Sequence, residues 1–307
     1  MSVRFKIDFK KSKKSQGSDD PLAGGISLPG TNGICVILVH GFTGAPHEMS
    51  FVAKFLNKKG FSVFCPRLAN HGEPLEVLRD TTWQECYQSI RRMFIHLKKN
   101  NPGEAIFVAG LSISALLALL LADEFGSEVS GVVCLSPILF YDGWNSPWCR
   151  HFLPITYCLG LKNFFYFKEE PPFGIKNEML QRRVHDHYKR ASLENMKDVS
   201  RYGYPYYPVA LLYQHRLLVR HLITRLPFVR VPVQLVQARH DDISSARNSQ
   251  CIYDRIDSKV KDILWLDNSY HVVTVDQEWE KVAQGLHDFF FKVMSLAPKE
   301  GHELKVA

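Results

Sequence analysis

The chain lacks the cysteine patterns that mark a disulfide framework or a zinc site. Its seven cysteines are scattered and odd in number, and they form no C-x-x-C pair and no metal-ligand spacing. In a chain of 307 residues, such a set predicts reduced thiols and a cytoplasmic protein. A disulfide-rich secreted domain and a structural zinc site are not indicated.

The chain also lacks an internal repeat and the apolar core of a secretory signal. Residues 1–20 carry six Lys/Arg and three Asp/Glu instead. One uncharged run, residues 105–122, has the minimum length of a membrane-spanning helix. Because Gly110, Ser112 and Ser114 interrupt this run, a strand, a turn and a helix explain it better than a membrane span.

Short apolar runs that predict buried strands alternate with segments that predict helices. The composition, 46% hydrophobic and 22% charged, is that of an ordinary globular protein. The predicted strands are 34–40, 61–66, 105–110, 130–137, 231–238 and 261–267, and the predicted helices are 47–59, 83–99, 113–125, 246–256 and 276–294. This alternation predicts an α/β fold with a mostly parallel, doubly wound sheet and right-handed crossovers.

Residues 140–228 interrupt the alternation. They contain "YDGWNSPW", "NFFYFKEEPPFG" and "RYGYPYYP", which are dense in aromatic, proline and basic residues. Ligands bind at the carboxyl ends of parallel strands, so we expect a helical cap (lid) there; a merely decorative excursion is the alternative. The predicted organisation is a basic tail and leading strand region at 1–30, a core at 31–139 and 229–307, and the cap at 140–228.

The net charge of +7 is concentrated in this insertion. Residues 141–230 hold fourteen Lys/Arg and seven Asp/Glu, and the leading "KKSKK" adds positive charge. Such a surface predicts an anionic partner, either a phospholipid membrane to which the protein is peripheral or a substrate with a negative head group; a solvated basic face is the alternative. We expect no nucleic acid, because no recognised binding motif is present.

One motif carries a candidate nucleophile. Gly110-Leu111-Ser112-Ile113-Ser114 matches G-x-S-x-G, the turn that exposes a serine between a strand and a helix, except that Ser114 replaces the second glycine. The turn needs small residues because its strained backbone lies close to the adjoining strand and helix. Serine adds one CH₂OH group, which can hydrogen-bond a backbone carbonyl, so we expect the turn to survive.

A nucleophilic serine needs a base, and the base needs an acid that orients it. In sheets of this kind their order along the chain is serine, acid, histidine. Asp241 and Asp242 follow one late strand, and His271 follows the last strand. We expect Asp241 rather than Asp242 to be the acid and His271 to be the base; a surface histidine is the alternative.

The segment "HGFTG" at 40–44 follows the first buried strand. Acyl transfer needs donors for a developing oxyanion, and glycines on both sides let a loop approach the reacting carbonyl closely. The backbone N–H groups of Phe42 and Ile113 are the predicted donors. A simple glycine turn is the alternative.

With these motifs the chain resembles the α/β-hydrolases, and more narrowly the bacterial carboxylesterases and monoacylglycerol lipases. The matching segments are "VILVHGFTG" at 36–44, "NHGEP" at 70–74, "VAGLSISA" at 108–115, "ARHDDIS" at 238–244 and "WLDNSYHVVTVDQE" at 265–278. Within "NHGEP", His71 is a candidate substrate-binding residue. The chain departs from the family at Ser114 and in its long, basic insertion.

The resemblance implies an α/β-hydrolase fold and assigns one role to each motif. Ser112 is the expected nucleophile, His271 the general base, Asp241 its acid, and the N–H groups of Phe42 and Ile113 the oxyanion donors. No metal and no organic cofactor is implied. The oligomeric state is not predicted.

The expected function is that of a serine hydrolase that cleaves a carboxylic ester with an acyl chain through an acyl-enzyme. A thioesterase or a serine aminopeptidase-type hydrolase would use the same triad. An epoxide hydrolase or dehalogenase fits less well, because its elbow carries an aspartate. The alternative from another functional class is a catalytically inactive binding protein with the same fold. Its only support is Ser114, which replaces the second glycine of the motif.

Overall fold

The computed structural model describes residues 3–5, 20–146, 153–190 and 203–296. Their strands are β1 (Val3–Phe5), β2 (Ile26–Leu28), β3 (Ile34–Val39), β4 (Ser62–Cys65), β5 (Ala105–Leu111), β6 (Gly131–Leu135), β7 (Phe165–Lys168), β8 (Tyr206–Pro208), β9 (Val233–Ala238) and β10 (Lys261–Leu266). Among these residues, seven strands form one sheet in the order β10-β9-β6-β5-β3-β4-β2. Only β2 in this sheet is antiparallel to its neighbour, so the predicted mostly parallel sheet is confirmed.

Helices cover both faces of the sheet. The described helices are α1 (Ser50–Lys58), α2 (Leu75–Arg79), α3 (Trp83–Asn100), α4 (Ile113–Phe125), α5 (Leu153–Cys158), α6 (Glu178–Arg190), α7 (Val209–Ile223), α8 (Arg247–Arg255) and α9 (Trp279–Leu296). On one face, α1 and α9 share a buried apolar cluster with Val36 and Leu38; on the other, α3, α4 and α8 share a cluster with Ile37 and Val39. Because β3 is buried on both faces, its sequence is continuously apolar.

The uncharged run at 105–122 is a strand followed by a helix. It consists of β5, Ser112 and most of α4. The first ten residues of α4 are all buried, because the helix packs against β5 and β6 and also against α3 and α7. Its apolar character on all sides therefore reflects burial within the protein. Among the described residues, no helix has the length and apolar character needed to cross a membrane.

The chain between β6 and β9 contains strands as well as helices. β7 pairs antiparallel with both β8 and the N-terminal β1, so that three strands form a second, small sheet. The expected helical cap therefore contains a small sheet beside α5, α6 and α7. The cause is visible in the sequence, since "FYFK" and "YYP" are rich in aromatic residues that favour strands. The predicted "KKSKK" tail lies outside the described residues.

Candidate active site

Ser112 stands at a strained turn between β5 and α4. Its φ is 62° and its ψ is −122°, a backbone region that residues with a side chain rarely occupy. A Cβ on Gly110 would lie 2.2 Å from the carbonyl oxygen of Ser114, so only glycine fits at position 110. Position 114 has room for a hydroxyl, which donates to the carbonyl oxygen of His40 at 2.5 Å. Ser114 therefore ties the turn to the 40–44 segment.

The carboxyl ends of β5, β9 and β10 bring three predicted side chains together. Nε2 of His271 lies 3.0 Å from Oγ of Ser112, and Nδ1 lies 2.9 Å from Oδ2 of Asp241. A carboxylate accepts hydrogen bonds, so Nδ1 carries the ring proton and Nε2 is left to accept the serine proton. All three side chains are buried. This is the geometry that a proton relay requires.

Asp241 is held in place by donors from its own loop and from the end of β9. Its Oδ1 accepts the backbone N–H groups of Ile243 and Ser244, each at 2.8 Å. Its Oδ2 accepts Nε2 of Gln237 at 3.0 Å and the hydroxyl of Ser244 at 3.1 Å. Because these donors restrict its rotation, the carboxylate presents a fixed acceptor to His271.

The charges around His271 strengthen it as a base. Burial alone lowers its pKa, but the carboxylate of Asp241 and the further charges of Asp242 and Glu48 outweigh burial and raise the pKa above its ordinary value. A raised pKa makes the imidazole a better proton acceptor and also causes it to become protonated at a higher pH.

The two adjacent aspartates, Asp241 and Asp242, make different contacts in the structure. Asp241 contacts His271, whereas Asp242 lines a cavity beside Ser112 and His271. Burial, together with the charge of Asp241, raises the pKa of Asp242 to about 6. The expected preference for Asp241 as the partner of His271 therefore agrees with the hydrogen bonds.

The 40–44 segment lies next to the candidate nucleophile. A Cβ on Gly41 would be 3.9 Å from Cβ of Ser112, which is van der Waals distance, so the two segments are neighbours. Phe42 follows in this loop and is buried, and Ile113 is the first residue of α4. The first N–H groups of a helix have no partner within it and carry positive partial charge. Both predicted oxyanion donors thus flank Ser112 in the chain or in space.

The side chains of Glu48 and His71 hydrogen-bond the backbone of the 40–44 segment. Oε2 of Glu48 accepts the N–H of Gly41 at 3.1 Å, and its carboxylate packs so closely on Gly44 that a Cβ there would lie 2.1 Å from it. Nε2 of His71 donates to the carbonyl oxygen of Phe42 at 2.7 Å. His71 is buried and is not among the residues that line the cavity, so its contacts are with the loop; substrate binding by His71 stays a prediction.

A buried carboxylate joins the His271 loop to the cap. Asp276 accepts the backbone N–H groups of Lys176 at 2.8 Å, Asn177 at 2.9 Å and Tyr270 at 2.7 Å. Tyr270 immediately precedes His271 in the chain. Asp276 therefore fixes the loop that carries the imidazole against residues 176–177 of the cap.

Sequence reasoning did not identify Glu48, Ser244 or Asp276 as part of the site. Ser244 and Asp276 lie inside matching segments, but neither segment states which groups these side chains will contact. No pattern marks Glu48, because its contacts depend on how the loop after β3 folds back. Such contacts become visible only with coordinates.

The cap and the sheet edge enclose a cavity of about 250 Å³ that contains Ser112 and His271. Its lining is mostly apolar and includes Leu153, Phe167 and Leu212 from the insertion. A mostly apolar pocket with a few convergent polar groups is the usual form of a small-molecule site. Among the described residues, no group of His, Cys, Asp and Glu has an arrangement that would hold a metal ion.

Comparison with known sequences identifies a family and two relatives. The sequence profile of the family described as serine aminopeptidase S33 matches residues 31–278. A carboxylesterase of Bacillus subtilis (strain 168) is 23% identical over 265 residues, covering 84% of this chain and 92% of the relative. A thermostable monoacylglycerol lipase of Bacillus sp. (strain H-257) is 28% identical over 259 residues, covering 84% and 90%.

Solved structures share the same fold. One of the metagenome-derived lipolytic enzymes LipS and LipT superimposes with a TM-score of 0.71 at 25% identity, covering 87% of this chain and 96% of that protein. The monoacylglycerol lipase of Paleococcus ferrophilus gives a TM-score of 0.69 at 19% identity, covering 87% and 98%. The expected α/β-hydrolase fold is thereby confirmed.

Proposed function

Because the chain belongs to the serine aminopeptidase S33 family and is an ester-hydrolysing serine hydrolase of the lipase and esterase type, we propose that it cleaves an acyl-chain ester with Ser112, His271 and Asp241. One observation carries the proposal. Nε2 of His271 lies 3.0 Å from the Ser112 hydroxyl while Nδ1 lies 2.9 Å from Asp241, so the imidazole can take the serine proton as the oxygen attacks.

The reaction has two steps that use the same residues. Ser112 Oγ attacks the ester carbonyl, and His271 accepts its proton and passes it to the departing alkoxide, which leaves as the alcohol. Water then attacks the acyl-enzyme, again with His271 as base, and the acid is released. The backbone N–H groups of Phe42 and Ile113 stabilise the oxyanion formed in each step. The acyl chain lies on the apolar part of the cavity wall.

Ser114 does not favour a scaffold that has lost its chemistry. Its hydroxyl is directed away from the relay to the carbonyl of His40, and the distance from Ser112 to His271 remains within hydrogen-bonding range. We therefore do not propose the binding-only alternative.

A fluorophosphonate probe tests the nucleophile directly. We expect wild-type protein to be labelled, Ser112→Ala to be unlabelled, and Ser114→Ala to be labelled, because the hydroxyl of Ser112 faces Nε2 of His271 whereas that of Ser114 is bonded to the carbonyl of His40. Hydrolysis of p-nitrophenyl butyrate should follow the same pattern. Labelling that persists in Ser112→Ala, or an absence of labelling in a folded wild-type protein, would contradict the proposal.

The partner of the basic insertion is proposed to be an anionic lipid surface. Four large apolar side chains in and after α5 are 37% to 64% exposed: Ile155, Leu159, Leu161 and Phe164. Lys162 lies 3.7 Å from the ring centroid of Tyr213, and the Arg216 guanidinium lies 5.9 Å from that of Tyr157, so basic groups accompany them. Exposed apolar groups next to cations are typical of surfaces that enter the headgroup region of a bilayer.

This apolar-basic surface, formed by Ile155, Leu159, Leu161, Phe164, Lys162 and Arg216, continues into the cavity wall. Leu153 begins the same helix and lines the cavity that contains Ser112. A lipid substrate that leaves the bilayer at this surface would therefore reach the nucleophile along one side of the protein.

Co-sedimentation with vesicles tests the surface. We expect binding to vesicles that contain phosphatidylserine, weaker binding to pure phosphatidylcholine, and loss of binding in a Leu159→Ser/Phe164→Ser variant. Phe291→Ser is the matched control, because Phe291 is 46% exposed on α9, outside the insertion. Equal pelleting with both vesicle types would contradict an electrostatic contribution.

A further inference from the structure

The hydroxyl of Ser114 links the two segments that each supply one of the oxyanion donors. Ser114 lies in the first turn of α4, directly after Ile113, and its hydroxyl donates to the carbonyl oxygen of His40 at 2.5 Å. His40 is two residues before Phe42, in the loop after β3. A glycine, the usual residue of the motif at position 114, has no hydroxyl and cannot make this bond. The bond therefore depends on the one position at which the motif is altered.

The peptide group between His40 and Gly41 is held at both of its edges. In a trans peptide the C=O and N–H groups point in opposite directions within one plane. The carbonyl of His40 accepts from Ser114, and the N–H of Gly41 donates to Oε2 of Glu48 at 3.1 Å. Ser114 and His40 are fully buried, so water does not compete for their bond. Rotation of this peptide plane would break both hydrogen bonds.

The next peptide group, between Gly41 and Phe42, is fixed as well. The carbonyl of Gly41 accepts the N–H of Gly44 at 3.1 Å and lies 2.8 Å from Nδ1 of His40. Nε2 of His40 accepts the N–H of Leu68 at 3.2 Å, so Nδ1 carries the ring proton and donates. The N–H of Phe42 is on the opposite edge of this plane. Its direction is therefore set by the bonds that the two preceding residues make.

The N–H of Phe42 is itself unpaired. In the described part of the chain it donates to no other group, although Phe42 is buried. Buried backbone N–H groups nearly always have a partner, so this donor is available to a ligand oxygen. The N–H of Ile113 has no partner within α4, because Ile113 is the first residue of that helix. Two such donors stabilise one oxyanion only if both lie about 2.7–3.1 Å from its position.

We propose that Ser114 and Glu48 are positioning residues for the oxyanion. They hold the peptide group between His40 and Gly41 from opposite sides, and so they keep the N–H of Phe42 in register with that of the first residue of α4. The assignment rests on the proposed ester hydrolysis, in which both N–H groups bind the oxygen of the tetrahedral intermediate. In this role each side chain acts through the backbone.

Steady-state kinetics of Ser114→Ala test the first contact. A displaced donor weakens the binding of the transition state but not that of the neutral ester. With p-nitrophenyl butyrate we therefore expect an active variant whose kcat is about tenfold lower and whose KM stays within about twofold of wild type.

Ser258→Ala is the matched control for this variant. Ser258 is also buried, and its hydroxyl also donates to a backbone carbonyl, that of Val260 at 2.9 Å. It precedes β10 and so lies at the opposite end of the strands from Ser112. Ser258→Ala should lower the melting temperature by a similar amount but leave kcat unchanged. An equal fall in kcat in both variants would overturn the positioning role.

Two substitutions at Glu48 separate its hydrogen bond from its charge. Glutamine keeps an oxygen that accepts the N–H of Gly41, whereas methionine has a similar length but only a weakly accepting sulfur. Both remove the charge that acts on His271, so that effect is common to the pair. Above the acidic limb of the pH profile, we expect Glu48→Gln to keep kcat within about threefold of wild type and Glu48→Met to lose about tenfold.

The double variant Ser114→Ala/Glu48→Met tests whether the two residues act through one peptide group. Either single substitution already frees that group, so we expect the double variant to lose about as much kcat as the more affected single variant. A loss of about a hundredfold, the product of two independent effects, would overturn the shared role.

A transition-state analogue gives a readout that a loss of stability does not change. Oγ of Ser112 adds to the carbonyl carbon of butyl trifluoromethyl ketone, the serine proton passes to His271, and the carbonyl oxygen becomes an oxyanion like that of the reaction. The inhibition constant should rise about tenfold in Ser114→Ala and in Glu48→Met, in parallel with the fall in kcat, and stay at the wild-type value in Ser258→Ala.

These outcomes are distinct from a failure of the proposed function. Hydrolysis that disappears in Ser112→Ala, but is unchanged in Ser114→Ala and in Glu48→Met together with the inhibition constant, would keep ester hydrolysis and contradict the positioning role. Hydrolysis that persists in Ser112→Ala would contradict the nucleophile, and with it an oxyanion beside Ser112.

Discussion

The edge of the sheet and the cap above it meet at one cavity but differ in how their polar groups are satisfied. At the sheet edge, Asp241 accepts four hydrogen bonds from its own loop and from Gln237 of β9, in addition to its contact with His271. In the cap, Lys176 and Asn177 instead present backbone N–H groups to Asp276 of the core, at 2.8 and 2.9 Å. The comparison teaches that the core orients Asp241 with its own donors, whereas this part of the cap is held by a carboxylate of the core.

The largest expected effect on activity comes from removing the hydroxyl of Ser112, the proposed nucleophile at the sheet edge. Ser112→Ala should lower kcat/KM for p-nitrophenyl butyrate about 10⁴-fold, because it removes the hydroxyl that lies 3.0 Å from Nε2 of His271. The melting temperature should not fall, since the substitution removes only one hydroxyl from a strained turn. Residual activity close to wild type would mean that the sheet edge is not where the chemistry occurs.

A second substitution tests the backbone of the same region. In Gly110→Ala, the new Cβ would collide with the carbonyl of Ser114, so the turn must shift. We expect about 10²-fold less esterase activity, because a displacement of about 1 Å at the reacting group is sufficient for this loss. Unfolding in urea should show a destabilisation of about 3 kcal/mol. Ala115→Gly, one residue past Ser114, is the comparison variant and should retain far more activity.

The junction between the two regions should give an intermediate effect. Asp276→Asn keeps the size of the side chain but replaces one acceptor oxygen by an NH₂ group, which cannot accept from Lys176, Asn177 or Tyr270. Stability should fall by about 2 kcal/mol, and kcat about tenfold, because the loop before His271 is less well fixed. Urea unfolding and steady-state kinetics measure the two effects separately. A loss of stability with unchanged kcat would show that Asp276 does not position the imidazole.

The pH dependence of kcat/KM should change when a carboxylate near His271 is removed, and the sign of the change follows from its negative charge. Catalysis needs neutral His271, whose pKa is raised by Asp241 and also by Asp242, so activity is lost as the pH falls through that raised value. Asp242→Asn removes one of the charges that raise it and should move the acidic limb of kcat/KM to lower pH. Measurement with the uncharged ester p-nitrophenyl butyrate keeps the charge of the substrate constant across the pH range. A shift to higher pH would contradict the assignment.

The smallest effect on chemistry is expected from the outer surface of the cap. Leu159→Ser/Phe164→Ser should leave kcat/KM for a short, monomeric ester within about twofold of wild type, since surface substitutions seldom disturb a distant site. Activity on the same ester presented in anionic vesicles should fall with vesicle binding. An equal loss on monomeric ester would place these side chains in the site instead.

The sheet could be predicted because its signals are local. Continuous apolar runs such as 34–39 and the alternation with helices identify parallel strands, and their carboxyl ends must lie along one edge. That rule also explains why Ser112, Asp241 and His271, each following a different strand, are brought together. Their catalytic roles stay predictions until the variants are measured.

The cap and the supporting contacts could not be predicted in the same way. β1 and β7 pair although they are far apart in the sequence. The hydrophobic periodicity of a strand does not specify which distant strand it pairs with. Glu48 is an ordinary acidic residue in the sequence, and its hydrogen bond to Gly41 exists only because the loop turns back on itself. Contacts of this kind depend on tertiary structure, which propensity does not encode.

Asp276 has a consequence for how a substrate enters. Since one carboxylate binds both residues 176–177 and the segment just before His271, an outward movement of that part of the cap would misalign the imidazole. The backbone N–H of Val272, which donates to the carbonyl oxygen of Gly174 at 2.7 Å, reinforces the attachment. An entry route that leaves residues 174–177 in place would keep the imidazole aligned, and Leu153 of α5 belongs to the part of the cavity lining that these contacts do not hold.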